Sequence, residues 1–170
     1  MDILIRKVRP GDETALAYVQ TESWKAAFSD ILDEETLTRC TDKAKAENMY
    51  RFLLQERKGN GYLLTLEGRA HCIAWWDAAR DPDMAGKAEF ICIHSLPDNW
   101  RKGYGGLMMD RVLSDVQNAG YPEVVLWVFS DNLRARAFYE AKGFHLFNKT
   151  KEALGKEEIC YIKNLSGKEE

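Results

Sequence analysis

Hydrophobic and polar positions follow two rhythms along the chain, one suited to strands and one to helices. Ile3 to Val8 is a short apolar-rich run closed by Pro10-Gly11, and it predicts a first strand. Asp12 then stands where it can cap a helix, and Ala15, Val19, Trp24 and Phe28 give the residues after it a partly helical apolar spacing. Asp33-Glu34-Glu35 reads as the start of a second helix. Residues 43–57 form a third, ended by Lys58-Gly59-Asn60-Gly61.

Tyr62 to Leu66 and His71 to Trp76 read as two strands joined in a hairpin at Glu67-Gly68. Asp77 to Gly86 is a loop, followed by the apolar strand Ala88 to Ser95, which breaks off at Leu96-Pro97-Asp98. Gly103 to Ala119 is an amphipathic helix with Met108, Met109, Val112, Leu113 and Val116 facing inward and Gly120 stopping it. Val124 to Phe129 does not alternate, as expected of a buried strand. Asn132 to Lys142 is a helix closed by Gly143. Phe144 to Phe147 and Ile159 to Ile162 are two last strands, and the tail from Lys163 to Glu170 is expected to fray. This order predicts an α/β (α+β) chain with a mixed sheet of about six to seven strands and helices on both faces. No repeat or linker divides it, so residues 1–170 are expected to form a single domain.

Composition narrows the function. The 170 residues can bury roughly 70% of their unfolded surface, so no disulfide or metal staple is needed. With 24 Lys+Arg against 27 Asp+Glu, the net charge of −3 lacks the basic footprint of a nucleic-acid binder. No apolar stretch is long enough to span a bilayer, and the charged opening does not read as a signal peptide. Cys40, Cys72, Cys92 and Cys160 are widely spaced with no His at zinc-ligand distance in sequence, so we expect reduced thiols in a cytoplasmic protein and no metal.

The chemistry concentrates between Glu89 and Phe144. A buried strand ends in Trp100-Arg101-Lys102-Gly103-Tyr104-Gly105-Gly106, which opens directly into a helix. Closely spaced glycines let a ligand approach the main chain, and a helix N-terminus with Arg101 and Lys102 beside it suits a phosphate or diphosphate. The loop lacks the third glycine of a dinucleotide fingerprint and has no Gly-Lys-Ser/Thr of a P-loop. On these residues alone it is either a phosphate-binding loop or a glycine-rich turn without a ligand.

Two segments together resemble the GNAT superfamily of GCN5-related N-acetyltransferases. The family's phosphate loop runs Gln or Arg, two variable residues, Gly, one variable residue, then Gly or Ala. Here Gly103 and Gly105 are in register, while Trp100 stands at the Gln/Arg position. The family's second segment is matched in full by Asn132, Ala135, Phe138, Tyr139, Gly143 and Phe144. The opening strand and helix also look like those of many bacterial members. The resemblance therefore covers nearly the whole chain, weakly in residues 30–88.

The resemblance implies the family's acyl-CoA N-acyltransferase fold, with two central parallel strands, 88–95 and 124–129, that splay apart. It implies a cofactor-binding core over 88–144 and an acceptor-side segment over 10–87. The cofactor would be acetyl coenzyme A, with its diphosphate on Arg101, Lys102, Gly103, Tyr104, Gly105 and Gly106 and its pantetheine arm along Ile93, His94 and Ser95. The Ile93 N–H would polarise the thioester carbonyl, and Asn132 would contact the pantetheine arm as well as cap its helix. The acceptor would be a primary amine of a small molecule or peptide, and a homodimer fits the family's habit. A coenzyme A sensor without turnover remains the alternative.

Two readings stay open at each candidate catalytic residue. Tyr139 either protonates the departing thiolate or packs as a helix aromatic beside Phe138; a phenol stays protonated at neutral pH. Glu89, fourteen positions before Gly103, either accepts the ammonium proton or stands exposed at a strand end. His94 is a rival base, or a residue that contacts the core or a helix from the opposite face of its strand. Asn132, Ser130 or Asp131 can cap the helix after residue 131. Trp24 and Phe28 form a wall of the acceptor pocket or belong to the core, as do Trp75 and Trp76. Asp30, Asp33, Glu34 and Glu35 either attract a cationic amine or simply serve the N-terminus of a helix.

Overall fold

The computed structural model describes residues 1–167. In chain order the elements are β1 (Ile3–Lys7), α1 (Glu13–Phe28), α2 (Glu34–Cys40), α3 (Lys43–Gln55), β2 (Asn60–Leu66), β3 (Arg69–Ala78), β4 (Ala88–Ser95), α4 (Tyr104–Asn118), β5 (Glu123–Phe129), α5 (Leu133–Ala141), β6 (His145–Ala153) and β7 (Lys156–Asn164). The strands make one mixed seven-stranded sheet in the order β1-β2-β3-β4-β5-β7-β6. β4 and β5 run parallel, in register Ala88 with Val124 and Glu89 with Val125. β1 with β2, β5 with β7 and β6 with β7 are antiparallel. Residues cluster into two compact units, one of Met1–Trp75 and Cys92–Arg111, the other of Trp76–Ile91 and the chain from Val112 onward.

In the first unit, Leu16, Val19, Tyr62, Leu64 and Ile73 are buried core. Each such side chain contributes about 1.5–3 kcal/mol through its removal from water. The Tyr50 hydroxyl donates to Gln20 Oε1 and ties α3 to α1. Trp75 lies 5.7 Å from the Tyr50 ring, and its indole N–H donates to the Lys58 carbonyl at 3.2 Å. Gly61 is the residue that makes room for this indole, since a Cβ there would sit 2.2 Å from a ring carbon. The β2–β3 turn has positive φ at both Glu67 (49°) and Gly68 (76°), the geometry that matches the twist of a two-residue hairpin.

In the second unit, Met84, Val125, Cys160 and Ile162 form a buried cluster with Ala79, Trp127 and Phe147 packed on it. Trp76 meets Tyr121 edge-on at 5.8 Å. Trp75 and Trp76 are thus core residues, both nearly inaccessible.

The structure departs from expectation in several places, among them the last two strands, which run His145–Ala153 and Lys156–Asn164 and are longer than expected. Asp12 occupies the N-cap of α1 but makes no side-chain cap bond. Its carboxylate accepts from both Arg6 guanidinium nitrogens, at 2.8 and 2.9 Å, and from the Arg9 amide at 2.8 Å. Burial pushes this carboxyl up, but those donors and the charges of Arg6 and Arg9 outweigh it and hold it below the usual range. The predicted loop after Asp77 begins later, because β3 runs on to Ala78. A single 3-10 turn at Pro82–Met84 then delivers Met84 to the core. The tail expected to fray from Lys163 is ordered as far as Leu165: Lys163 and Asn164 pair with Val124 and Glu123, and the buried Leu165 donates its amide to Pro122. Residues 168–170 of that tail lie outside the described residues.

Candidate active site

In the first unit, β4 leads into the glycine loop through a short, heavily fastened connection. The Leu96 amide donates to the His71 carbonyl at 3.0 Å. A 3-10 turn follows at Pro97–Asn99, and the Trp100 amide donates to Pro97 at 3.2 Å. The Trp100 indole N–H reaches back to the Ser95 carbonyl at 2.9 Å. Arg101 and Gly103 then take positive φ, 65° and 87°. That conformation is natural for glycine and strained for arginine, at a cost of about 1–2 kcal/mol.

Gly103 accepts the first helical bond, from Leu107 at 3.1 Å, so α4 begins with the amides of Tyr104, Gly105 and Gly106 lacking intrahelical acceptors. A Cβ at Gly103 would meet nothing within 4 Å, which leaves the loop open above its main chain. Arg101 and Lys102 are exposed beside it, the Lys102 ammonium 3.0 Å from Asn99 Oδ1. Open main chain, the positive end of a 15-residue helix and two cations together fit a diphosphate. Trp100, which stands where a Gln or Arg was expected, fastens the loop to β4 through its indole.

Against this loop packs a histidine that carries no role in the sequence analysis. His71 on β3 is 2% exposed, and neither ring nitrogen has a protein hydrogen-bond partner among the described residues. Its ring meets Tyr104 edge-on at 5.4 Å. A buried donor left unmet costs about 1–3 kcal/mol. The only sequence signal was a lone His heading an otherwise apolar run.

Further along the same unit, Cys92 to Ser95 are half-buried, and the paired register of β4 with β5 covers only Ala88 and Glu89. Trp24 and Phe28, also half-buried, meet edge-on at 4.9 Å on α1. The Trp24 indole N–H donates to His94 Nε2 at 3.3 Å. His94 is therefore a helix-contacting residue whose Nε2 lone pair is engaged, and burial pushes its imidazole down to about 4. Asp33 caps α2 through Thr36, accepting from its amide and hydroxyl at 2.8 Å each.

A pH prediction follows from His94. The folded chain holds the ring neutral, so the unfolded chain takes up the proton first. This contribution is complete above about pH 6.5 and declines as pH falls towards 4. His94→Gln should flatten the decline in urea midpoint across that window. A residual slope of the same sign should remain from His71, which burial also pushes down. Parallel slopes in the variant and the unaltered chain would contradict this.

In the second unit, Glu89 is 4% exposed, which removes the exposed-strand-end reading. Its carboxylate pairs with the Arg80 guanidinium and accepts from the Arg80 amide at 3.2 Å. Sequence inspection did not anticipate Arg80. Asn132 is the cap of α5, its Oδ1 accepting from the Ala135 amide at 3.2 Å. One helical turn on, Arg136 donates to the Ser130 carbonyl at 2.9 Å and to the Tyr161 hydroxyl at 3.1 Å. Tyr161 in turn donates to Glu140 at 2.7 Å, which anchors α5 to β7 on both sides of Tyr139. Tyr139 itself is 8% exposed, its ring 5.5 Å from Phe138 and 6.0 Å from Phe144.

The family model for the acetyltransferase (GNAT) family matches residues 22–144, which takes in both the loop and the Asn132–Phe144 segment. The chain belongs to the GNAT acetyltransferase family. Acetyl coenzyme A is the acetyl donor of GNAT proteins. A probable N-acetyltransferase of Mycobacterium tuberculosis is 25% identical over 150 residues, covering 88% of this GNAT chain and 83% of that protein. Among solved structures, the PaiA N-acetyltransferase of Thermoplasma acidophilum, in complex with coenzyme A, is similar with a TM-score of 0.78 and 21% identity, over 96% of this chain and 99% of that one. The ribosomal-protein-alanine N-acetyltransferase of Escherichia coli is similar with a TM-score of 0.70 and 19% identity, over 99% and 97%.

Other features of this GNAT chain do not add chemistry. Burial pushes the Cys72 thiol up to about 12 and the Cys160 thiol up to about 11, which makes both poor nucleophiles. Among the described residues, no group of three His, Cys, Asp or Glu could hold a metal ion, and no helix is long and apolar enough to cross a membrane.

Proposed function

We propose that the chain is an acetyl-CoA-dependent N-acetyltransferase that moves an acetyl group to a primary amine of a small molecule or peptide, by direct attack within a ternary complex. Acetyl coenzyme A supplies the acetyl group as an activated thioester. The observation that carries the reading is the loop from Trp100 to Gly106, with its open main chain, helix N-terminus and exposed Arg101 and Lys102. Arg101, Lys102 and the amides of Tyr104, Gly105 and Gly106 hold the diphosphate. The main chain of Ile93, His94 and Ser95, residues that are half-buried, lines up the pantetheine arm, and the Ile93 N–H polarises the carbonyl. Because the Trp100 indole takes up the Ser95 carbonyl, pairing with the arm falls mainly on Ile93.

Tyr139, held between Phe138 and Phe144, donates the proton that the departing thiolate needs. Asn132 caps the helix that carries it and contacts the arm. Glu89 takes the ammonium proton, directly or through water, and must loosen its pair with Arg80 to do so. His94 is set aside as the base, because its Nε2 lone pair faces the Trp24 N–H. Trp24 and Phe28 form an aromatic wall for the acceptor. We place the enzyme in a reducing cytoplasm, in keeping with its four reduced cysteines, and treat residues 1–170 as one acetyltransferase.

The test is release of free thiol from acetyl coenzyme A across a panel of amino acids, polyamines, aminoglycosides and peptides. Release that depends on one amine class is expected and names the acceptor. Tight cofactor binding with no release from any amine would replace the enzyme reading with that of a coenzyme A sensor.

A further inference from the structure

His71 combines deep burial with hydrogen-bonding capacity that the protein does not use. A neutral imidazole carries one N–H donor and one acceptor nitrogen. Native proteins satisfy nearly all such buried groups, and the exceptions gather where function employs them. The surroundings of His71 belong largely to the segment 96–104. The ring abuts Tyr104, the His71 carbonyl holds the Leu96 amide, and the charges acting on the imidazole are Asp98 and Lys102. Burial is the larger influence and favours the neutral ring, with Asp98 opposing it and Lys102 adding to it. Tyr104 and Lys102 lie in the loop to which the diphosphate has been assigned, Leu96 and Asp98 in the connection that leads into it, and none of the roles given above draws on His71.

We propose that His71 is a positioning residue for the phosphate-holding loop, its ring hydrogen-bonding a main-chain group of residues 96–104 when that loop closes on a diphosphate ligand. The inference rests on the coenzyme A reading given above. The bond is unmade in the unliganded chain and made in the liganded one, so the same side chain weakens the first state and favours the second. A residue that only fills space would shift both states in the same direction.

The test is calorimetric coenzyme A binding combined with thermal melts of the unliganded protein. His71→Phe keeps a flat ring against Tyr104 and removes both nitrogens. Its unliganded melting temperature should rise by a few degrees, while its dissociation constant for coenzyme A weakens about tenfold. His71→Gln returns a donor and an acceptor and should recover part of the lost affinity. In the unaltered protein, nitrogen NMR of the His71 ring should show its resonances move, and its N–H exchange slow, when coenzyme A is added.

Equal affinity in His71→Phe overturns the positioning role. So does a joint loss of stability and affinity with ring resonances that coenzyme A leaves unmoved. An unaltered chain that binds no coenzyme A would bring down the donor reading and this role together, whereas binding that is indifferent to His71 would bring down this role alone.

Discussion

Gly105→Glu should abolish coenzyme A binding and leave the fold intact. Gly105 is the second residue of α4, in the turn whose amides point into the loop. A carboxylate in the first turn of a helix is favourable for the helix itself, by about 0.3–1 kcal/mol. The substitution should therefore hold or slightly raise the melting temperature. For a diphosphate the effect reverses: the new side chain fills the space of the approach and sets a negative charge beside negative oxygens. Two like charges about 4 Å apart near a protein surface repel by about 4 kcal/mol. A loss of at least a hundredfold in affinity is the expected result, read by calorimetry against an unchanged thermal melt. Retained affinity would refute the assignment of the loop.

Tyr139→Phe is expected to separate chemistry from binding. The ring's packing against Phe138 and Phe144 survives in phenylalanine, so the helix and its Asn132 cap should stay in place. Only the hydroxyl is lost. A positioned general acid contributes about a hundredfold or more, so turnover should fall on that scale while coenzyme A affinity changes by no more than about twofold. α5 is also anchored through Arg136, Tyr161 and Glu140, so an unchanged thermal melt in Tyr139→Phe would trace a fall in turnover to the lost hydroxyl and not to a displaced helix. Unchanged turnover would remove Tyr139 from the chemistry and leave it a packing residue.

What the sequence made legible was local. The Glu67-Gly68 hairpin, the amphipathic stripe of α4 and the cap at Asn132 each arise from neighbours within a few positions. Partner choice over longer distances did not show. Asp12 had both a helix amide and the Arg6 guanidinium within reach, and only the folded chain reveals that the bidentate pair prevails. Glu89 read as a carboxylate at a strand end because nothing in the pattern marked Arg80, nine residues earlier, as its partner. The pattern marks only Phe144 to Phe147 and Ile159 to Ile162 as strands because the outer part of β6 and β7, Lys149 to Glu152 with Glu157 and Glu158, is largely charged and mostly exposed. An edge strand needs no apolar alternation to pair through its backbone. His71 escaped notice for a related reason: its burial is set by the strand run, while its lack of partners is a property of the loop above it.

The indole of Trp100 on the Ser95 carbonyl has a thermodynamic consequence. The connection from Ser95 to Trp100, tied by this bond, takes its shape when the chain folds, and only the residues after it are left to close on a ligand. The entropy of ordering that segment is then charged to folding, and less of it is subtracted from association. The ligand then has only the remaining residues of the loop to order as it binds. Differences in affinity among donors with different acyl groups would then reside mainly in how fast each departs.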